Sequence, residues 1–171
     1  LALLLSTNAQ KINKMLFHPK IAQWQAEGKS IVFTNGVFDI LHVGHVTYLE
    51  EAKALGDVLV VGLNADSSVK RLNKGPERPI NDEESRKKVL EALRCVDEVI
   101  IFDEDTPLRL IMDIRPDVVV KGGDYNAHVT DRRDPRYVVG SQEVKTWGGH
   151  AYVIAFVHGY STTNIVKKLR E

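Results

Sequence analysis

Ser30-Ile31-Val32-Phe33-Thr34-Asn35-Gly36-Val37-Phe38-Asp39-Ile40-Leu41-His42-Val43-Gly44-His45 is the stretch on which the fold turns. Ser30 to Thr34 is a short β-favouring run that stops at Asn35-Gly36, as a buried strand does when it enters a loop. Beyond the loop, Val46, Leu49, Ala52 and Leu55 recur at helical spacing and end at Gly56, a residue that commonly terminates helices. Val58 to Leu63 is then a second apolar run of strand length. Strand, helix and strand in this order predict a parallel pair, because parallel neighbours need a crossover connection.

The same alternation continues outward. A helix starting near Asp66 leads into a basic, Gly/Pro-containing loop from Lys70 to Pro79, and Asn81 or Asp82 can cap a helix running through Arg94. Glu98 to Phe102 reads as strand three, Pro107 to Ile114 as a helix, and Asp117 to Val120 as strand four. Ala151 to Ala155 is the fifth strand, and Ser161 caps a closing helix with Ile165, Val166 and Leu169. The pattern predicts an α/β, Rossmann-like, doubly wound sheet of five parallel strands with helices on both faces. Upstream, Ile12 to Ala26 has mixed helical spacing interrupted by Pro19, so residues 1–29 are read as a helical extension and 30–171 as the domain proper.

Composition narrows the function classes. The 171 residues are 43% apolar and 27% charged, a profile that fits one globular domain. Lys plus Arg and Asp plus Glu are equal at 23 each, so no global field draws the chain to nucleic acid or an anionic membrane. Asp131-Arg132-Arg133-Asp134 reads as a balanced, solvated loop without an aromatic stacking platform. One cysteine, Cys95, excludes an intrachain disulfide and a cysteine-cluster metal site, and suits a reducing cytoplasm. Leu1 to Leu5 lacks the basic flank of a secretory leader, and no run is long enough to span a membrane.

In open parallel sheets, ligands lie at the carboxyl ends of the strands. His42-Val43-Gly44-His45 follows strand one and opens a helix, where backbone N–H groups and the helix dipole favour an anion. Spacing of three puts both imidazoles on one side of the turn, and Gly44 lets the backbone approach a phosphate. By themselves, two histidines so spaced are more often polar surface or a structural accident of cap and core than a ligand site. Zinc would need further ligands at usual spacing, and none stands nearby. A dehydrogenase reading fails because strand one is not followed by G-x-G-x-x-G.

Thr34 to His45, with its intact H-x-G-H, and Ser161-Thr162-Thr163 before the last helix together resemble the two motifs of the cytidylyltransferase-like nucleotidyltransferase superfamily. Within it, Ile21 to Leu169 is similar to the D-glycero-D-manno-heptose 1-phosphate adenylyltransferases. The segments that carry this are Gly62 to Val69, Lys74-Gly75 with Arg78-Pro79, Arg115-Pro116-Asp117 leading to Lys121-Gly122-Gly123-Asp124-Tyr125, and Gly159 to Ile165. Many members of that group are fused to a sugar kinase. The resemblance implies a stand-alone or excised adenylyltransferase, working with a separate kinase and as a homo-oligomer such as a dimer.

The resemblance also implies roles. His42, His45 and Lys74 would be catalytic; Gly36, Val37, Phe38 and Gly44, with the histidines and Gly159, Ser161, Thr162 and Thr163, would bind the nucleotide. Asp39, Lys74, Arg86, Lys121 and Asp124 would contact the acceptor, a sugar 1-phosphate. Mg²⁺ would arrive on the ATP phosphates, with no protein-held metal. Several of these positions have plain structural alternatives. Lys74 could be solvated, Arg86 could pair with Asp82 or Glu83, Lys121 could pair with Asp124, Asp39 could tie down a loop, and Asp66 could be only a helix cap. Related glycerol-phosphate cytidylyltransferases carry an arginine just before the second motif, whereas this chain has Phe156-Val157-His158, an apolar and aromatic wall better suited to a purine. A CTP-dependent relative and a catalytically silent nucleotide-binding module are the competing readings.

Overall fold

A computed structural model of the protein describes residues 18–72, 75–155 and 159–169. The apolar runs form five strands: β1 (Ile31–Gly36), β2 (Val58–Asn64), β3 (Glu98–Phe102), β4 (Val118–Gly122) and β5 (His150–Ile154). Every pairing is parallel, in the order β3-β2-β1-β4-β5. Before, between and after the strands lie α1 (Pro19–Ala26), α2 (Val43–Lys53), α3 (Asp66–Arg71), α4 (Glu83–Glu91), α5 (Leu108–Ile114), α6 (Ser141–Thr146) and α7 (Thr162–Lys168).

Alternation along each strand sends side chains to two separate cores. Ile31, Phe33, Val58, Val60 and Val119 pack with Ile21 of α1, Ile111 and Ile114 of α5, and Val144 of α6. Val32, Leu59, Val61, Leu63 and Val120 pack on the other face with Leu49 and Ala52 of α2 and Leu90 of α4. The doubly wound architecture predicted from the sequence is thus the one observed. β2 is buried at all seven positions, as a central parallel strand must be, whereas β5 is an edge with His150 and Tyr152 exposed.

Three aspartates fix the amino edge. Asp57, Asp97 and Asp117 each stand one residue before a strand, and their carboxylates accept the backbone N–H of Ser30 at 2.8 Å, Leu59 at 2.7 Å and Ile31 at 2.7 Å. Each satisfies a donor that the ladder leaves open on the neighbouring strand. Register set at this edge, Ile31 opposite Val58 and Val32 opposite Val118, carries to the far edge, where Gly36 lies opposite Leu63.

Pro19 begins the first described helix, where its missing N–H costs nothing. Leu16 and the rest of the expected helix before His18 lie outside the described residues. The helix inside the expected extension is also packed into the core: Ile21 is 1% exposed and Trp24 packs beside it. α6, six residues without an apolar stripe, was not anticipated; Trp147 at its end packs on the core and donates to the Pro116 carbonyl at 2.8 Å.

Ile21→Ala is expected to lower the unfolding free energy by about 2–5 kcal/mol, the usual cost of emptying a buried isoleucine site. Urea denaturation measures it, and a change within about 0.5 kcal/mol, typical of a surface position, would mark α1 as an appendage.

Candidate active site

β1 ends in the middle of the sheet with β2 on one side and β4 on the other, so the chain leaves its carboxyl end at the topological switch point. A cavity of about 540 Å³ opens there. Its floor is the turn after β1. Phe38 in that turn has φ of 44°, a left-handed backbone that a bulky residue adopts only when its neighbours enforce it.

Both neighbours are tied. The Val37 carbonyl accepts Arg86 Nη1 at 2.7 Å. On the other side, the Asp39 carboxylate accepts the backbone N–H of Ile80 and Asn81, each at 2.9 Å, and an ion pair from Arg78. Phe38 thereby presents its ring edge-on to His45, with centroids 5.2 Å apart. An added Cβ on Gly36 would meet the Phe38 ring at 2.9 Å, so this turn needs a glycine there.

α2 starts directly after the turn. His42 is its N-cap residue in extended conformation, and its side chain makes no capping bond. Its imidazole stacks on that of His45, centroids 3.8 Å apart and planes 21° from parallel. The His42 Nδ1 is buried and has no hydrogen-bond partner among the described residues. Burial holds the His42 pKa below its ordinary value, so the free protein carries it as neutral imidazole near pH 7. A Cβ on Gly44 would meet His42 Nδ1 at 3.1 Å and Tyr160 Cβ at 3.2 Å, closer than ordinary contact, so a side chain there would have to push the His42 ring or Tyr160 aside.

The opposite wall is the start of α7. Ser161 caps it, accepting the Asn164 N–H at 3.1 Å, and Thr162 Oγ1 donates to the Ile40 carbonyl at 3.3 Å. Thr163 also lines the cavity. From β4, Lys121 Nζ reaches across the switch point to the Asn35 carbonyl at 3.0 Å and Asn35 Oδ1 at 2.9 Å.

The fold therefore gathers Gly36, Val37, Phe38, Asp39, His42, Gly44 and His45 with Lys121, Ser161, Thr162 and Thr163 around one cavity. Gly159 sits in the turn just before it, at φ of 87°. Asp124 is exposed and lines a different hollow, beside β5. Lys74 lies outside the described residues. Sequence reasoning passed over Asn35, Tyr48, Arg78, Tyr125 and Tyr160 as site residues, though all five line the cavity. Tyr48 could have been found, since it stands three and four residues after His45 and Gly44 on one helical face. Its hydroxyl is 2.6 Å from Thr34 Oγ1, and burial pushes its pKa well above the phenol range.

Arg86 is corrected from acceptor contact to internal tie. It is 2% exposed, and besides Val37 it donates to the carbonyls of Asn81 at 3.0 Å and Asn64 at 2.8 Å and to Asp66 Oδ1 at 2.7 Å. Its partner is Asp66, not the helical neighbours Asp82 or Glu83, and Asp66 follows the cap position of α3, which is Ala65. A guanidinium so engaged has little left to offer a ligand. Asp39 is corrected in the same sense: its side chain is fully buried and spent on the Arg78 to Asn81 segment, although the residue borders the cavity.

Chemically, the cavity offers imidazole donors, hydroxyls, two cations and the unbonded N–H groups of a helix start, a set that suits a polyanion. Among the described residues, no three His, Cys, Asp or Glu side chains form a group able to hold a metal ion. None of the described helices is long and apolar enough to cross a membrane.

Comparison with known proteins agrees with this geometry. Residues 33–168 match the cytidylyltransferase-like family. The chain is 57% identical over 145 residues to the bifunctional protein HldE of Geobacter metallireducens, an alignment covering 85% of this chain and 28% of that protein. It therefore spans just over a quarter of the length of the curated relative. Among solved structures, it is similar to the lipopolysaccharide core biosynthesis protein of Thermoplasma volcanium, with TM-score 0.58, 30% identity, and coverage of 76% of this chain and 98% of the other. Pantothenate synthetase of Thermus thermophilus shares the fold, with TM-score 0.52 and 17% identity over 85% of this chain and 65% of its own.

Arg86→Ala is expected to destabilise the protein by about 3 kcal/mol, since it strips a buried charge from Asp66 and leaves carbonyls unpaired. Chemical denaturation tests this. Unchanged stability with weakened ligand binding would return Arg86 to the role of a ligand contact.

Proposed function

The chain belongs to the cytidylyltransferase-like family of nucleotidyltransferases, and on that premise we propose that it transfers AMP from ATP to D-glycero-β-D-manno-heptose 1-phosphate, giving ADP-heptose and pyrophosphate. The observation that carries the proposal is the stacked His42 and His45 pair at the start of α2, facing the hydroxyls of Ser161 to Thr163 across the switch-point cavity. The choice of heptose rests on the sequence resemblance. Likeness to a lipopolysaccharide core biosynthesis protein supports supply of heptose to a surface glycan. In this reading the reaction is cytoplasmic and a separate sugar kinase phosphorylates the acceptor first.

A phosphate oxygen of the sugar attacks the α-phosphorus of ATP in line, the bond from that phosphorus to the β-phosphate bridging oxygen breaks, and pyrophosphate leaves. The nucleophile is already anionic, so no general base is needed, and catalysis comes down to positioning and to neutralising charge in the transition state. His42 and His45 donate to phosphate oxygens. A phosphate beside His42 counteracts the desolvation that lowers its pKa, so binding itself favours the protonated donor. Lys121, at the mouth between β1 and β4, meets the incoming acceptor phosphate, and Lys74 contacts the phosphates as they transfer. Mg²⁺ would be held chiefly by the phosphate oxygens and water, and would add charge neutralisation on the leaving pyrophosphate.

His45→Ala is expected to lower turnover about a hundredfold or more with the fold intact, the usual value of one preorganised donor. Pyrophosphate release measures it, and near-normal turnover removes His45 from the mechanism. A nucleotide panel tests the base. Phe156 and Val157 replace the arginine of the cytidylyltransferase relatives, so ATP should exceed CTP by about tenfold or more in kcat/KM. CTP equal to or better than ATP would transfer the chain to the glycerol-phosphate type, and no release with any acceptor would leave a binding module.

A further inference from the structure

Two arginines brace the turn after β1, and they spend their donors differently. Arg86 commits all three guanidinium nitrogens, with Nε on the Asn81 carbonyl, Nη1 on that of Val37 and Nη2 on Asn64 and Asp66. Arg78 commits one: its Nε donates to Asp39 Oδ2, and its Nη1 and Nη2 make no hydrogen bond among the described residues. Yet its side chain is only 11% exposed, and what it borders is the histidine cavity. Donors so enclosed are normally satisfied, so a forked pair left open at a cavity wall marks a place for acceptors that a ligand brings.

The fork is held from behind. The Asp39 side chain that takes Arg78 Nε has no exposed surface, and it also accepts the backbone N–H of Ile80 and Asn81 at 2.9 Å each, so it grips the segment on both sides of Pro79. A guanidinium gripped by its Nε keeps Nη1 and Nη2 for a bidentate contact, the geometry that phosphate oxygens accept, and it stays charged at any working pH.

Position in the fold says which phosphate. Arg78 belongs to the segment that enters α4, and α4 packs through Leu90 on β2 and β3. Lys121 stands on β4, on the other side of β1 in the sheet, where it also lines a smaller hollow of about 230 Å³ that Arg78 does not border. The two cations thus approach the histidine cavity from opposite sides of β1. In-line displacement puts the attacking and leaving groups on opposite sides of the α-phosphorus. With the acceptor phosphate at Lys121, the leaving group lies toward Arg78.

We infer that Arg78, held by Asp39, binds the β- and γ-phosphates of ATP, donating from Nη1 and Nη2 to the group that departs as pyrophosphate. As the bond from the α-phosphorus to the bridging oxygen breaks, its electron pair stays on that oxygen, and the charge gained by the pyrophosphate meets donors already in place. No proton moves, since the guanidinium stays protonated. The inference rests on the transferase reading above and adds to it the residue that holds the leaving group.

The test is calorimetric titration of the full chain with inorganic pyrophosphate and Mg²⁺, with a non-hydrolysable ATP analogue and Mg²⁺, and with AMP, beside a pyrophosphate-release assay with ATP and D-glycero-D-manno-heptose 1-phosphate. Arg78→Lys keeps a cation but loses the fork, and Arg78→Gln removes the charge. Each is expected to weaken binding of pyrophosphate and of the ATP analogue about tenfold or more, as loss of charge-assisted hydrogen bonds does, while AMP affinity stays within about twofold and reports an intact site. Unchanged pyrophosphate affinity in both variants would overturn the assignment, and so would equal losses for pyrophosphate and AMP, the pattern of a merely structural brace. Selective loss without any pyrophosphate release by the unmodified protein would uphold Arg78 as the phosphate ligand and sink the transferase reading. Release by the unmodified protein with no selective loss in the variants would do the reverse.

Discussion

The turn after β1 is held by two buried charges, and the geometry of the cavity depends on them. Arg86 grips the carbonyls of Val37 and Asn64, which joins the ends of β1 and β2, and the Asp39 carboxylate grips Ile80 and Asn81 just before α4. Phe38 lies between these ties in a left-handed backbone that would otherwise cost about 1–3 kcal/mol. Without both ties its ring would have no reason to stand against His45. Buried ion pairs contribute little net stability, since desolvation offsets much of their attraction, but they tolerate few alternative arrangements. Here they convert a flexible loop into a fixed floor.

The sheet and its first helix form the rigid half of the site, and α7 forms the lightly packed half. β1 and β2 are buried almost throughout, whereas no residue of α7 is fully buried. α7 meets the rest of the site through Thr162 on Ile40 and through Tyr160 beside His42. Elements with few buried contacts open at low free energy.

Charge is distributed with the same economy at the two ends of the strands. At the amino edge, Asp57, Asp97 and Asp117 are consumed by strand N–H groups. At the carboxyl edge, Asp39 and Asp66 are consumed by Arg78 and Arg86. The chain's equal numbers of acids and bases therefore conceal a local imbalance. Carboxylates near the cavity are neutralised internally, and the imidazoles and Lys121 set its character.

The sequence by itself determined the fold. Continuous apolar runs of strand length separated by helical ones leave a parallel sheet covered on both faces as the way to bury them, and strand three was legible to the residue because Glu98 to Phe102 is bounded by charge on both sides. It also located H-x-G-H and Ser-Thr-Thr, because side chains that follow a strand or open a helix occupy the ligand end of such a sheet. Tertiary structure decided which charged residues face the ligand end and which face inward. Arg86 and Lys121 look alike in one dimension, each a cation beside apolar neighbours, yet one is enclosed by carbonyls from three other segments and the other stands at the mouth between two cavities. Only tertiary structure could also show that Tyr125 borders the histidine cavity, or that α1 belongs to the core. The physical reason is common to all of these: a side chain's role depends on whether partners distant in sequence satisfy it, and local pattern carries no record of those partners.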